Sequence, residues 1–303
     1  MEHTGYRDLP SEIIDAIFDE LWNDTSSTSS RPTKGWAEFA VQKQNALLQN
    51  CLQVSTDFRH RILSRACSNV ILSPNPSRTH VARLQELIFQ PQDSRLGGIG
   101  RYIKHFSIHY IVGWEDLGAI IRFFDNQDLV DILDGLHGEI FGVTGFSFII
   151  SAPNSTREFG LPWADIPANF RSAFLSLLRS PRLNQLFLGG IALLSENIFR
   201  GSNLKILSIQ RVPDVIAALS HTKEMDLAPL TVSGAHFPSL VELNTDHSLE
   251  CDSDFLPGSM LEKLKVFKEL PNERLQSAKT WRVLGLSASS LTEIYISHSG
   301  ERK

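Results

Sequence analysis

One short pattern constrains this chain more than any other: an apolar residue, two others, an apolar residue, one other, an apolar residue. It stands at Ile103-Lys104-His105-Phe106-Ser107-Ile108, at Leu183-Asn184-Gln185-Leu186-Phe187-Leu188, at Leu204-Lys205-Ile206-Leu207-Ser208-Ile209 and at Leu291-Thr292-Glu293-Ile294-Tyr295-Ile296. Val143 to Phe148 is a further match, Leu240 to Thr245 a weaker copy, and Leu261 to Val266 a doubtful one. The first apolar residue of such a form is expected to turn into a core while the other two point inward from a short strand. Stacked copies then line up as a parallel sheet with helices packed behind it. Several copies follow a turn, as at Ser180-Pro181-Arg182, Gly201-Ser202-Asn203, Pro238-Ser239 and Ser289-Ser290. Between copies lie helix-like runs, Phe170 to Leu178 the clearest. Ahead of them, Val70, Ile71 and Leu72 predict a short buried strand closed by Pro74 and Pro76.

The spacing of the copies is irregular. First positions fall at 103, 143, 183, 204, 240 and 291, and only the step from 183 to 204 has the length of a standard leucine-rich repeat. The competing expectation is an ordinary α/β domain with amphipathic strands. The repeated local form and its turns favour stacked repeats.

The first fifth of the chain has a different texture. Pro10 suits a first helical turn, and Ile13, Ile14, Ile17, Phe18 and Leu21 then make one apolar stripe, with Glu12, Asp15, Asp19 and Glu20 on the opposite face. Residues 23–35 are polar, low in complexity and without core-forming side chains, as expected of a loop. Helical patterning resumes near Trp36 and runs through Leu47, Leu48, Cys51, Leu52, Val54 and Phe58. A second short helix is predicted around Asp57 to Cys67.

This N-terminal stretch resembles an F-box. The matching residues are Leu9-Pro10-Ser11-Glu12-Ile13-Ile14-Asp15-Ala16-Ile17-Phe18, then Leu21 and Leu48, then Cys51-Leu52-Gln53-Val54-Ser55-Thr56-Asp57-Phe58-Arg59. The continuation is similar to the degenerate leucine-rich repeats that follow the F-box in many fungal proteins, with Phe170 to Gly189 and Gly190 to Ile209 as two helix-then-strand units. The resemblance implies binding to a Skp-type adaptor protein, and through it to a cullin, within a ubiquitin ligase (the Ubl conjugation pathway). Carried over residue by residue, it implies adaptor-binding by Leu9, Pro10, Ile13, Ile14, Ile17, Leu21, Leu48, Cys51 and Val54. One departure stands out: the interval from Trp22 to Leu47 is longer than the short loop usual in the family. Loop extension is thermodynamically cheap, about 0.6 kcal/mol per doubling. The alternative to a ligase adaptor is a ligase-independent protein-interaction scaffold in which the helices act only as a cap.

The rest of the sequence narrows the function by what it leaves out. The apolar and charged fractions, 42% and 21%, are those of a globular protein. A net charge of −5 gives no basic stripe for nucleic acid. Cys51, Cys67 and Cys251 are scattered and odd in number, which suits a reducing compartment. With no signal-like start and no apolar run of membrane length, a cytoplasmic or nuclear protein is expected. No phosphate-binding or nucleophile-elbow motif occurs. Leu96-Gly97-Gly98-Ile99-Gly100 reads as a turn before a strand near Arg101. His105 and His109 would share the polar face of a strand without a third metal ligand. Asp125, Asp128, Asp131 and Asp134 read as a solvated helix face rather than a calcium loop. No catalytic residue, cofactor or metal is expected.

The expectation as a whole is an α/β chain. A small helical F-box-like module spans residues 5–68, with its insertion at about 23–35. An irregular leucine-rich-repeat-like body with short parallel strands and helices spans 69–299 and binds a target protein of unknown identity.

Overall fold

The computed structural model describes residues 56–72, 78–90, 98–111, 117–138, 141–151, 161–192, 196–210, 236–245, 258–269 and 278–296. The chain divides into two compact units, Met1–Ser64 and Arg65–Lys303. In the first, residues 56–64 are described and are helical, the start of α1 (Thr56–Ala66). The helix expected over 9–22, the insertion at 23–35, and the residues Leu9, Pro10, Ile13, Ile14, Ile17, Leu21, Leu48, Cys51 and Val54 all lie outside the described residues.

The second unit is mixed α/β. Its helices are α2 (Arg78–Phe89), α3 (Leu117–Phe124), α4 (Gln127–Leu136), α5 (Ala168–Leu178), α6 (Gly258–Leu261) and α7 (Ala278–Ser287). Its strands are β1 (Asn69–Leu72), β2 (His105–Ile111), β3 (Gly145–Ser151), β4 (Leu161–Pro162), β5 (Gln185–Gly189), β6 (Ile191–Ala192), β7 (Ile206–Gln210), β8 (Glu242–Thr245), β9 (Val266–Glu269) and β10 (Glu293–Ile296). Eight of them form one sheet in the order β1-β2-β3-β5-β7-β8-β9-β10, every neighbouring pair parallel; β4 and β6 pair separately. A doubly wound α/β domain reverses its strand order at a switch point. Here order in space is order in sequence throughout.

A single backbone device joins successive strands. The carbonyl of Ser68 accepts hydrogen bonds from the amides of both Lys104 and His105, at 2.8 and 2.9 Å. The same double acceptance recurs at Lys104, Thr144, Asn184, Lys205, Val241 and Lys265, each taking two consecutive amides of the next strand. Each of these residues is the second position of its six-residue form. Two donors on one carbonyl fix where the next strand starts, so the register is set by main-chain bonds.

The side chains then follow the two-residue period of a strand. The first positions Ile103, Val143, Leu183, Leu204, Leu240 and Leu264 are fully buried. So are the fourth positions Phe106, Phe146, Leu186, Leu207, Leu243 and Phe267, and the sixth positions Ile108, Phe148, Leu188 and Ile209. Rings dominate the first half of this core. Phe148 lies 5.3 Å from both Phe124 and Phe170, Phe124 lies 4.8 Å from Phe170, and Phe146 lies 5.7 Å from Phe174. Such edge-on and tilted ring pairs add about 0.5–1.5 kcal/mol each beyond burial.

The helices are placed by similarly local causes. Asn126 caps α4 by accepting from the amide of Asp128 at 2.9 Å, and Leu129, Val130, Ile132, Leu133 and Leu136 form its buried stripe. The ring of Phe89 fills the space that a side chain at Gly135 would take, which brings α2 against α4. Gly190, between β5 and β6, has a φ of 69°, and a Cβ there would run into the carbonyl of Ile150. Glycine alone adopts that turn without strain or clash.

The expected strands at 103–108, 143–148, 183–188, 204–209, 240–245 and 291–296 all lie in the sheet; Val70 to Leu72 does too, but as an edge strand in which Leu72 is buried and Ile71 is 64% exposed, not as the buried strand expected. Two readings need correction. The copy at Leu261 to Val266 is out of register by three residues: Leu261 closes α6, the buried first position is Leu264, and the strand is Val266–Glu269. The true copy ends in Glu269 where the form calls for an apolar residue, and Leu261 offered the nearer match. The strand expected near Arg101 begins at His105 instead, because Gly100–Tyr102 make a turn of 3-10 helix first. An additional copy went unread. Cys67-Ser68-Asn69-Val70-Ile71-Leu72 takes the form once cysteine is counted as apolar, and Ser68 opens the ladder. Burial pushes the Cys67 thiol pKa up, away from the reactive thiolate. Among the described residues no helix is long and apolar enough to cross a membrane.

Candidate functional site

Inward positions are spent on the core, so the third and fifth positions of each copy point to the opposite face of the sheet. Register sets them in two rows. One runs Asn69, His105, Gly145, Gln185, Ile206, Glu242, Val266, Glu293; the other runs Ile71, Ser107, Ser147, Phe187, Ser208, Asn244, Lys268, Tyr295. Residues of both rows are more polar than the core, and most are half-buried or exposed.

A groove of about 430 Å³ runs across this face from β2 to β9. His105, Ser147, Gln185, Phe187, Ile206, Ser208, Gln210, Asn244 and Lys268 line it. Gly145 shapes one end: the His105 imidazole occupies the space a Cβ would take there, so the ring lies over the neighbouring strand. Toward the other end sits a polar network. The Lys268 ammonium lies 2.7 Å from Glu242 Oε1, and the Asn244 amide nitrogen donates to the same oxygen at 3.1 Å. A carboxylate only accepts, so this bond orients the amide and leaves Asn244 Oδ1 as a buried acceptor with no donor among the described residues. Lys268 also lies 5.8 Å from the centre of the Tyr295 ring, whose hydroxyl donates to Glu293 at 2.8 Å.

The electrostatics follow from these contacts. The hydrogen bond from Lys268 holds the Glu242 carboxyl below the usual range, against the opposing effect of burial. The same bond raises the Lys268 pKa, and the bond to Glu293 raises that of Tyr295. Around neutral pH Glu242 is therefore a carboxylate, Lys268 an ammonium and Tyr295 a protonated phenol.

The other singled-out residues disperse. His105 and His109 do share the outward face of β2, where His109 Nε2 lies 3.1 Å from Ser151 Oγ. Asp128, Asp131 and Asp134 fall on α4, with Asp125 just before it; Asp131 accepts from Gln85 at 3.0 Å and from Gln127 at 2.7 Å. Among the described residues no three His, Cys, Asp or Glu side chains converge as metal ligands would. Sequence reading did not pick out Gln185, Phe187, Asn244 or Lys268. The signal was present, since the third and fifth positions of each copy are outward by construction, but it becomes a site only when register sets the rows side by side. Comparison of the chain with protein-family models, curated proteins and solved structures finds no match.

Proposed function

We infer that the chain is a substrate-recognition adaptor of a Skp–cullin–F-box ubiquitin ligase. Its N-terminal helices bind the Skp-type adaptor, its body is a degenerate leucine-rich-repeat array that holds a target protein on the outward sheet face, and it performs no chemistry of its own. The observation that carries the reading is the sequential, all-parallel ladder with an open polar-and-apolar groove on the face away from the core. Repeat arrays present such surfaces for partner recognition. The groove supports a binding role, because the lysine that lines it, Lys268, is already paired with Glu242. The Leu9 to Arg59 pattern supports the ligase connection.

The test uses the full chain with a purified Skp-type adaptor in size-exclusion chromatography and calorimetry. A one-to-one complex is expected, lost on Ile14→Asp. Absence of binding by the folded chain overturns the ligase reading. The long Trp22 to Leu47 interval favours a second reading, the ligase-independent scaffold. On that reading, deletion of residues 25–33 leaves adaptor binding absent while target capture through the groove persists.

A further inference from the structure

The turns that lead into the strands share a property that the sequence scatters. Lys104, Lys205 and Lys265 stand at second positions, directly ahead of β2, β7 and β9, and all three are exposed. Arg101, Arg182 and Arg200, also exposed, lie in the turns ahead of β2, β5 and β7. Two of these arginines reach over a neighbouring turn. The Arg182 guanidinium occupies the place that a side chain at Gly142 would take, ahead of β3. The Arg200 guanidinium lies 5.1 Å from the centre of the Phe237 ring, in the turn ahead of β8. A cation thus stands at each strand start along the run β2-β3-β5-β7-β8-β9. Strand spacings of about 4.8 Å make this row about 24 Å long. The described residues of these turns hold one acid, Glu262, which is followed by Lys263. The chain as a whole has 34 acidic and 29 basic side chains, so the ladder gathers cations against the overall balance. None of the six cations has a salt-bridge partner among the described residues.

We propose that this row of strand starts binds an acidic peptide segment of the target, about seven or eight residues in extended form. At about 3.3 Å per residue such a segment matches the length of the row. The inference deepens the reading of the body as a target-binding array and rests on it, but not on the ligase connection. The row borders the outward groove: His105 and Ile206, which follow Lys104 and Lys205, both line it. A segment on the row is therefore continuous with a target seated in the groove. Carboxylates suit these cations, since arginine takes them bidentately and lysine follows them on a flexible stem. Nucleic acid fits less well. Single strands stack their bases on exposed rings between the cations, whereas Tyr102 is buried and Phe237 carries Arg200 on its face. The net charge of −5 also opposes a long polyanion. An anionic bilayer takes up apolar side chains along with cations, and the first-position residues beside the row, Ile103, Leu204 and Leu264, are fully buried.

Fluorescence anisotropy with the full chain tests this, using a labelled peptide of about eight residues that alternates glutamate and serine. Binding is expected at low salt, with a loss of at least about tenfold between about 50 and 500 mM salt. The counterpart with glutamine in place of glutamate should not bind. Lys104→Gln, Lys205→Gln and Lys265→Gln should each weaken binding about two- to fivefold. Reversal of all three to glutamate should abolish it with the circular dichroism unchanged, because the ladder uses the carbonyls of these residues and not their side chains. Arg83→Glu, at an exposed site on α2, changes the net charge as Lys205→Glu does and should leave the affinity as it is. Four results would each overturn the proposal: no binding at low salt, equal binding of the glutamine peptide, a loss in Arg83→Glu as large as in Lys205→Glu, or tighter binding of an oligothymidylate or of phosphatidylserine vesicles. Adaptor binding by the same chain separates the two readings. A chain that binds the adaptor and not the peptide loses this inference alone, and one that binds the peptide and not the adaptor loses the ligase connection alone.

Discussion

Strands β1 to β7 of the main sheet and strands β8 to β10 obey one hydrogen-bond scheme and enclose different material. In the first group the sixth positions are Leu72, Ile108, Phe148, Leu188 and Ile209, backed by a cluster of phenylalanines from α3 and α5. In the second group the sixth positions of β8 and β9 are Thr245 and Glu269, both buried, that of β10 is Ile296, and the helix before β9 is the four-residue α6. The outward rows change in parallel, from serines, histidines and glutamines to the Glu242, Lys268, Tyr295 and Glu293 network. The backbone ladder tolerates both fillings because its bonds are made by main-chain atoms. Stability and chemistry are thus distributed along the sheet by side chains alone, with the dry aromatic core at one end and the charged, polar-backed strands at the other.

The sharpest way to break this contrast is to remove a ring from each half. Phe148→Ala should cost about 3–5 kcal/mol in denaturant unfolding, since it deletes a buried ring with three aromatic neighbours. Phe267→Ala should cost measurably less, because no ring pair involving Phe267 occurs among the described residues. Equal losses would mean that the two halves do not differ in core quality. The second intervention has the opposite sign. Thr245 is 4% exposed and its hydroxyl has no hydrogen-bond partner among the described residues. Thr245→Val keeps the shape and removes an unsatisfied buried group, so a gain of about 1 kcal/mol is expected in the same unfolding assay. A loss would show that the hydroxyl is satisfied in solution.

The smallest effect concerns the outward network. The Lys268 and Glu242 side chains are 42% and 22% exposed, so Lys268→Met should cost only about 0.2–1 kcal/mol at neutral pH. The sign with pH is definite. Glu242 has a folded pKa below its unfolded value, so its contribution is complete above the ordinary glutamate range, about 4.3. It is lost as pH falls through the lower folded value. Lys268 has a raised folded pKa, so its contribution is complete below about 10.4 and fades as pH rises through the higher folded value. Stability curves of wild type and Lys268→Met should therefore converge at both extremes. A constant offset across the whole range would remove the ion pair as the cause.

Much of the fold was legible because a strand of this kind carries its own alternation. Ile103, Phe106 and Ile108 announce an inward stripe without reference to the rest of the chain, and Leu183, Leu186 and Leu188 repeat it. What was not legible depended on residues that break the apolar rule. Glu269 at a buried position hid the β9 register, and Cys67 at a first position hid the opening copy. The candidate groove was less legible still. Phe187, Ser208, Asn244 and Lys268 are scattered over some 80 residues of sequence (187 to 268), and only the ladder brings them into one row.

The repeated double acceptance at second-position carbonyls has a consequence for how such a chain can change. Between first positions the path runs for 40 residues from 143 to 183 and for 21 from 183 to 204, yet the next strand arrives with the same register. The sheet responds to where a strand begins and is indifferent to the length of chain that delivered it. Segments between strands are accordingly the natural places for insertion, grafting or divergence. A new outward residue at a third or fifth position can likewise be tried one strand at a time without rephasing its neighbours.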